Sequence, residues 1–131
     1  MENVHEIRKT IIDLERNALD HWAKGDPDGF IELSSPDVAY FDPFIDRRLD
    51  GVEALGRYYE ALRGKIHIDR YEILNPKVQL AGDSAVLTFN FVSYSGADES
   101  RWNCTEVYRR AENNWQIIQT HWSFTQPAAN D

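Results

Sequence analysis

Apolar residues near the N-terminus recur at helical spacing. Val4, Ile7, Ile11, Leu14, Ala18 and Trp22 fall three or four residues apart, which predicts a long amphipathic helix with these side chains on one face. Ile12 and Leu19 widen the stripe, and Glu6, Arg8, Lys9, Asp13, Glu15 and Arg16 are assigned to the solvent side. Gly25 is the stop signal. Asp26 then reads as an N-cap, with Pro27 in the first turn of a short helix carrying Phe30, Ile31 and Leu33. Ser34-Ser35-Pro36-Asp37 closes that helix, and Val38 to Phe41 follows as a short strand. Asp42-Pro43 breaks the strand, and Phe44 to Asp50 reads as a loop or hairpin. Val52, Leu55, Tyr58 or Tyr59, and Leu62 predict a third helix from Gly51 to Leu62, closed by Gly64.

The period changes after Ile66. Four β-segments follow: Ile66 to Leu80 with a break or bulge at Asn75-Pro76, Ala85 to Tyr94, Arg101 to Arg110, and Trp115 to Thr125. Gly82-Asp83, Ser95 to Asp98 and Asn113-Asn114 are the turns between them. Strict alternation in the last strand would put Ile118, Thr120 and Trp122 on one face and Ile117, Gln119 and His121 on the other. Helices followed by an antiparallel meander predict an α+β layer fold: a cone-shaped half-barrel of order α-α-β-α-β-β-β-β, helices packed on the concave face of a curved antiparallel sheet. One domain over residues 1–125 and a frayed tail at 126–131 are expected.

Composition narrows the function classes. The 131 residues include 22 acidic and 14 basic side chains, for a net charge of −8. Phosphate neutralisation needs clustered Lys and Arg, so nucleic acid and anionic membrane are not expected partners. A single cysteine, Cys104, excludes an internal disulfide framework and a multi-cysteine zinc site. Mid-strand and without an adjacent base, it reads as a small buried hydrophobe. His21 and His67 lack partners at metal-ligand spacing, so no metal is expected. The glycines form no phosphate loop, and no cofactor is expected. The charged first residues lack an apolar signal core, and the expected compartment is the cytoplasm.

Three stretches carry a family resemblance: Gly25-Asp26-Pro27-Asp28-Gly29-Phe30; Phe41-Asp42-Pro43 with Leu49-Asp50-Gly51; and Ile73 to Val78 with Leu80, Gly82-Asp83, Val107 to Arg110, Trp115-Gln116, His121 and Ser123. In their order and spacing the chain resembles the nuclear transport factor 2-like superfamily. That superfamily includes ketosteroid isomerases, scytalone dehydratase, SnoaL-type cyclases and the association (hub) domain of calcium/calmodulin-dependent protein kinase II. The resemblance implies a cone-shaped α+β barrel, a pocket between sheet and helices, and a homodimer through the outer sheet face. Fold alone does not choose among enzyme, binding module and oligomerisation domain.

Asp42 is the candidate catalytic residue. A carboxylate among Tyr40, Phe41 and Phe44 is desolvated, which raises its pKa and suits it to accept a proton near neutrality. By resemblance it falls on the general-base position of ketosteroid isomerases. The alternative is that Asp42 simply caps the Asp-Pro turn. The isomerase oxyanion donors match Ala18 and Thr105, neither of them an acid or phenol; a one-residue slip offers Glu106 instead. The pocket arginines of the kinase hub match Thr105 and Trp122, so a small-carboxylate pocket of that kind is not implied. An aromatic wall remains: Trp22, Tyr40, Phe44, Tyr58, Tyr59 and Trp122 are candidate ligand-binding residues, with Asn90, Val92 and Thr105 beside them. Core packing is the competing reading for Trp22, Val92 and one of the two tyrosines. His121, opposite Trp122, is expected on the outer, dimer-facing side. Two functions stay open: binding of a small, largely apolar molecule, with isomerase, dehydratase or cyclase chemistry at Asp42; or a non-catalytic hub or ligand-sensing module.

Overall fold

The computed structural model describes residues 3–125, so the expected frayed tail lies outside the described residues. Three helices and six strands alternate as α1 (Val4–Ala23), α2 (Asp28–Leu33), β1 (Ser34–Phe41), β2 (Leu49–Asp50), α3 (Val52–Glu60), β3 (Arg70–Ala81), β4 (Ser84–Ser95), β5 (Asp98–Ala111) and β6 (Asn114–Phe124). The strands form one curved, open sheet in the order β2-β1-β6-β5-β4-β3, with the α+β layering that the sequence predicts. The sheet is mostly antiparallel. Its one parallel pairing, β1 with β6, was not part of the expected pattern, whereas β2 pairs antiparallel with β1 and makes a hairpin of the segment read as a loop or hairpin.

α1 is capped by Asn3, whose side chain accepts from the Glu6 N–H. Its buried face is Ile11, Glu15, Ala18 and Leu19. Glu15 was assigned to solvent, yet it is 0% exposed. It stands four residues from both Ile11 and Leu19, which places it in the middle of the apolar stripe. Gly25 ends α1 at φ 85°, and its carbonyl accepts from the Gly64 N–H at 2.9 Å. A Cβ at Gly25 would meet the Gly64 Cα and the Ile66 carbonyl at 3.1 Å, so this close crossing requires glycine. The crossing fixes the segment after α3 against the end of α1. α2 starts at Asp28, one residue later than predicted, with Pro27 and not Asp26 at its N-cap position; the Asp26 carboxylate accepts from the Asp28 N–H at 2.9 Å in the preceding turn. Ser34 is the C-cap of α2, as expected, and β1 begins at the same residue.

Three ladders carry a register shift, the first between Ser34 and Ala39 where β1 runs along β6. The β3–β4 register shifts between Leu74 and Lys77, where Pro76 cannot donate and Asn75 adopts φ 51°. The β5–β6 register shifts between Val107 and Tyr108, leaving Ile118 as the extra residue on β6. That bulge breaks the alternation assumed for the last strand. Trp115 and Ile117 are buried below it, and Thr120 is buried above it, with Trp122 also facing inward. Ile117, expected on the outer face, is 0% exposed and belongs to the core with Ile11, Leu19, Leu87 and Tyr108. Burying each such side chain contributes roughly 1.5–3 kcal/mol. Among the described residues no helix is long and apolar enough to cross a membrane.

Candidate functional site

A cavity of about 540 Å³ opens between the helices and the concave face of the sheet. α1 contributes Leu19 and Trp22, α2 contributes Phe30, and α3 contributes Tyr58 and Tyr59. Tyr40 of β1 and the following Asp42 and Phe44 form another wall, and Phe91, Ser93, Trp102 and Trp122 line the sheet side. The segment after α3 closes the outline with Leu62 and Lys65 to Ile68. The rings pack edge to face or tilted: Trp22 to Tyr59 at 4.8 Å, Tyr40 to Tyr59 at 5.4 Å, Phe91 to Trp122 at 5.4 Å and Trp102 to Trp122 at 5.9 Å between centroids.

Asp42 is half-buried in this aromatic wall. Its Oδ2 accepts from the Tyr40 hydroxyl at 2.7 Å and from the Tyr58 hydroxyl at 2.6 Å. Its Oδ1 accepts from the Phe44 N–H at 2.8 Å, an Asx turn through Pro43. Oδ1 thus caps the turn with one hydrogen bond and keeps a further acceptor position, while Oδ2 takes two phenols. Burial, then the hydrogen bond to Asp42 and its charge, pushes the Tyr58 phenol above its ordinary value. Tyr40 is pushed well up by burial first, then by the charges of Tyr59 and Asp42. Both phenols therefore keep their protons and act as donors at neutral pH.

The structure brings together Trp22, Tyr40, Asp42, Phe44, Tyr58, Tyr59 and Trp122 around one cavity. Phe44 is 68% exposed and sits at the edge, 6.0 Å from the Trp102 ring. Asn90, Val92 and Thr105 are not brought there. Along β4 the inward row is Ala85, Leu87, Phe89, Phe91 and Ser93, which puts Asn90 and Val92 on the opposite face, where Val92 is packed at 2% exposure as the core-packing reading expected. Asn90 is exposed and donates to Asn103 at 2.7 Å across the outer face. Along β5 the inward row is Cys104, Glu106 and Tyr108, so Thr105 is exposed on the outside. A one-residue slip in assumed register moved all three to the wrong face. His121 is exposed and outside the cavity, its ring 5.1 Å from Phe41. The alternating buried run from Ala85 to Phe91 was the available signal for Phe91 and Ser93, both missed.

A second acidic feature lies deeper. Glu15 of α1 and Glu106 of β5 are both 0% exposed and close enough for the Glu15 charge to act on Glu106. Tyr108 donates to Glu15 Oε1 at 2.7 Å, and Thr120 donates to Glu106 Oε2 at 3.0 Å. Glu15 Oε2 and Glu106 Oε1 have no hydrogen-bond partner. Two bare carboxylates side by side in a dry core repel each other, which favours the protonated acid. Burial raises both acids, and the neighbouring Glu15 charge raises Glu106 further. Cys104 lies beside them, its thiol pushed well up by burial. None of the three lines the cavity. Among the described residues no group of three or more His, Cys, Asp or Glu side chains could hold a metal ion.

Comparison with known proteins agrees with this architecture. Residues 7–127 match the model of the calcium/calmodulin-dependent protein kinase II association domain. A calcium/calmodulin-dependent protein kinase type II alpha chain from Drosophila melanogaster is 27% identical over 122 residues, which cover 87% of this chain and 23% of the kinase. The chain thus spans about a quarter of that relative's length. A candidate ketosteroid isomerase from Parabacteroides distasonis is 46% identical, with a TM-score of 0.85 over 96% of this chain and 91% of that one. The hub of the S. rosetta kinase shares the fold at 20% identity and a TM-score of 0.73, over 89% of this chain and 95% of that one. The chain therefore belongs to the calcium/calmodulin-dependent protein kinase II association-domain family, within the nuclear transport factor 2-like superfamily.

Proposed function

We propose that the cone is a binding chamber for a small, largely apolar organic molecule, and that Asp42 is the polar group that meets it. The observation that carries this reading is the aromatic cavity of about 540 Å³ with a phenol-clamped carboxylate in its wall. That volume lies within the usual range of small-molecule sites. In the chemical form of this reading Asp42 takes a proton from carbon or oxygen through the open lone pair of Oδ1, without a cofactor. Half-buried Tyr58 gives its one hydrogen to Asp42 and so holds the carboxylate in place at the cavity. Isomerisation, dehydration and aldol cyclisation all need such a transfer, and the kinship with a candidate ketosteroid isomerase supports this class. The test is titration of the protein with a panel of aromatic and polyketide-like compounds, read by Trp fluorescence, with turnover followed by product analysis. The expected result is saturable quenching by a subset of compounds and loss of turnover in Asp42→Asn. Failure of every compound to bind the wild-type protein overturns it.

A second reading rests on the family match over residues 7–127. In it the domain self-associates and has no catalytic role, as the words association domain and hub say of its relatives. Light scattering after size exclusion separates the two. A homodimer through the outer sheet face favours the chamber, and a larger ring favours the hub.

A further inference from the structure

We propose that the chamber selects an amphipathic organic cation, with an ammonium head held at Asp42 and an apolar body against the aromatic wall. This rests on the chamber reading above and names the ligand class for it. The first observation is an uncompensated charge. Asp42 receives three hydrogen bonds, from Tyr40, Tyr58 and the Phe44 N–H, and every donor is neutral. Each donor brings its own hydrogen, so Asp42 is the acceptor in all three. No cationic side chain forms an ion pair with it among the described residues, whereas Asp37 meets Arg109, Asp50 meets Arg48, and Asp28 meets Arg63. Only Oδ1 keeps a clearly open position, since Oδ2 already takes two phenols.

The second observation is the wall itself. The faces of Tyr, Trp and Phe rings carry negative quadrupole potential, which attracts a cation and repels an anion. Tyr40, Tyr58, Phe44, Trp102 and Trp122 line the same cavity as Asp42. A carboxylate within an aromatic wall suits an ammonium twice over, by a charge-assisted hydrogen bond and by ring contact. A neutral ligand gains from burial alone, and an anion meets both the carboxylate and the ring faces. The third observation is the field of the whole chain, whose net charge of −8 favours the approach of cations. The other charged groups lining the cavity are Lys65 and His67. Both are exposed on the segment after α3, and His67 is engaged by Asp69 at 2.9 Å. Exposed charges are screened at physiological salt, so they weigh less than the half-buried carboxylate.

The test compares three probes of one shape: 2-naphthylmethylammonium, 2-naphthylmethanol and 2-naphthoate. Calorimetry with the full chain in about 150 mM salt keeps bulk attraction screened. The ammonium should bind about tenfold more tightly than the alcohol, with the naphthoate weakest. In Asp42→Asn the ammonium and the alcohol should bind within about twofold of each other. Equal or weaker binding of the ammonium in the wild-type protein overturns the proposal while leaving the chamber reading intact. A full ammonium preference in a folded Asp42→Asn variant overturns it too, because the preference then does not come from Asp42. If no probe binds, the proposal falls together with the chamber reading. The wild-type comparison needs no variant, so a poorly folded Asp42→Asn leaves it decisive.

Discussion

Asp42 and the Glu15–Glu106 pair are built from the same chemical group and reach opposite outcomes. Asp42 lies half-buried at a cavity, and three neutral donors supply all the hydrogens it needs. The glutamates sit in the dry core with one donor each, Tyr108 and Thr120, and one oxygen of each is left without a partner. Supply of donors and access to water decide whether a buried acid is an acceptor facing a ligand or a proton holder inside the core. The comparison also separates function from stability. The first site faces space that a molecule can fill, and the second faces only protein.

Truncating the core acid should show the largest difference. Glu106→Ala opens a cavity and strands Thr120 and Glu15, so it should lose about 2–4 kcal/mol of unfolding free energy in urea denaturation. Asp42→Ala, beside solvent, should lose about 1 kcal/mol or less by the same measurement. Equal losses would end the distinction between the two sites.

pH should sharpen the contrast next. The folded-state pKa of Glu106 is raised above the ordinary 4.5 by burial and by Glu15. Its contribution is therefore complete below about 4.5 and drains away as pH rises toward the folded value. Each pH unit over which the pair retains its proton is worth at most about 1.4 kcal/mol. The wild-type protein should melt at lower temperature at pH 8.5 than at pH 5.5, and Glu106→Gln should flatten that slope. Exposed Asp37 works in the other direction: its hydrogen bonds from Arg109, then Ser35, hold it at about 2, below the ordinary 3.8. Its contribution is present above 3.8 and is lost as pH falls toward 2, so the acid limb of the melting profile should survive the Glu106 substitution.

Smaller effects come from single donors. Tyr108→Phe removes the hydrogen bond to Glu15 and should cost about 1–2 kcal/mol in urea unfolding. Probe binding in the cavity should be unchanged, since Tyr108 does not line it. The smallest effect is expected on the outer face. Thr105→Val should shift stability by less than about 0.5 kcal/mol and leave calorimetric binding as in the wild-type protein. A binding defect in Thr105→Val would return this residue to the site.

The outline of the fold was legible because it depends on local patterns. The Ile11 to Leu19 stripe, the Gly25 stop, the Asn75-Pro76 break and the turn at Gly82 all match the structure. Asp42 was legible for the same reason, as an acid in an aromatic run ending a strand. The inward rows of β4 and β5 were less so. Sequence alternation tells which residues share a face but not which face is inside, and a slip of one residue exchanged Asn90 and Val92 for Phe91 and Ser93. In β6 even the sharing failed, because the Ile118 bulge reverses the alternation midway and carries Ile117 into the core.

By itself, then, the sequence determined the element order, the α+β class and the aromatic acid at the end of β1, because periodicity, turn chemistry and composition act within a few residues. Tertiary structure alone decided the parallel β1–β6 pairing, the phenol clamp from Tyr58 sixteen residues away and the meeting of Glu15 with Glu106. Those contacts join segments whose local patterns are independent of one another. Glu15 reads as one more surface acid in the sequence, and only the packing of α1 on the sheet buries it beside a second acid and a tyrosine, which raises its pKa.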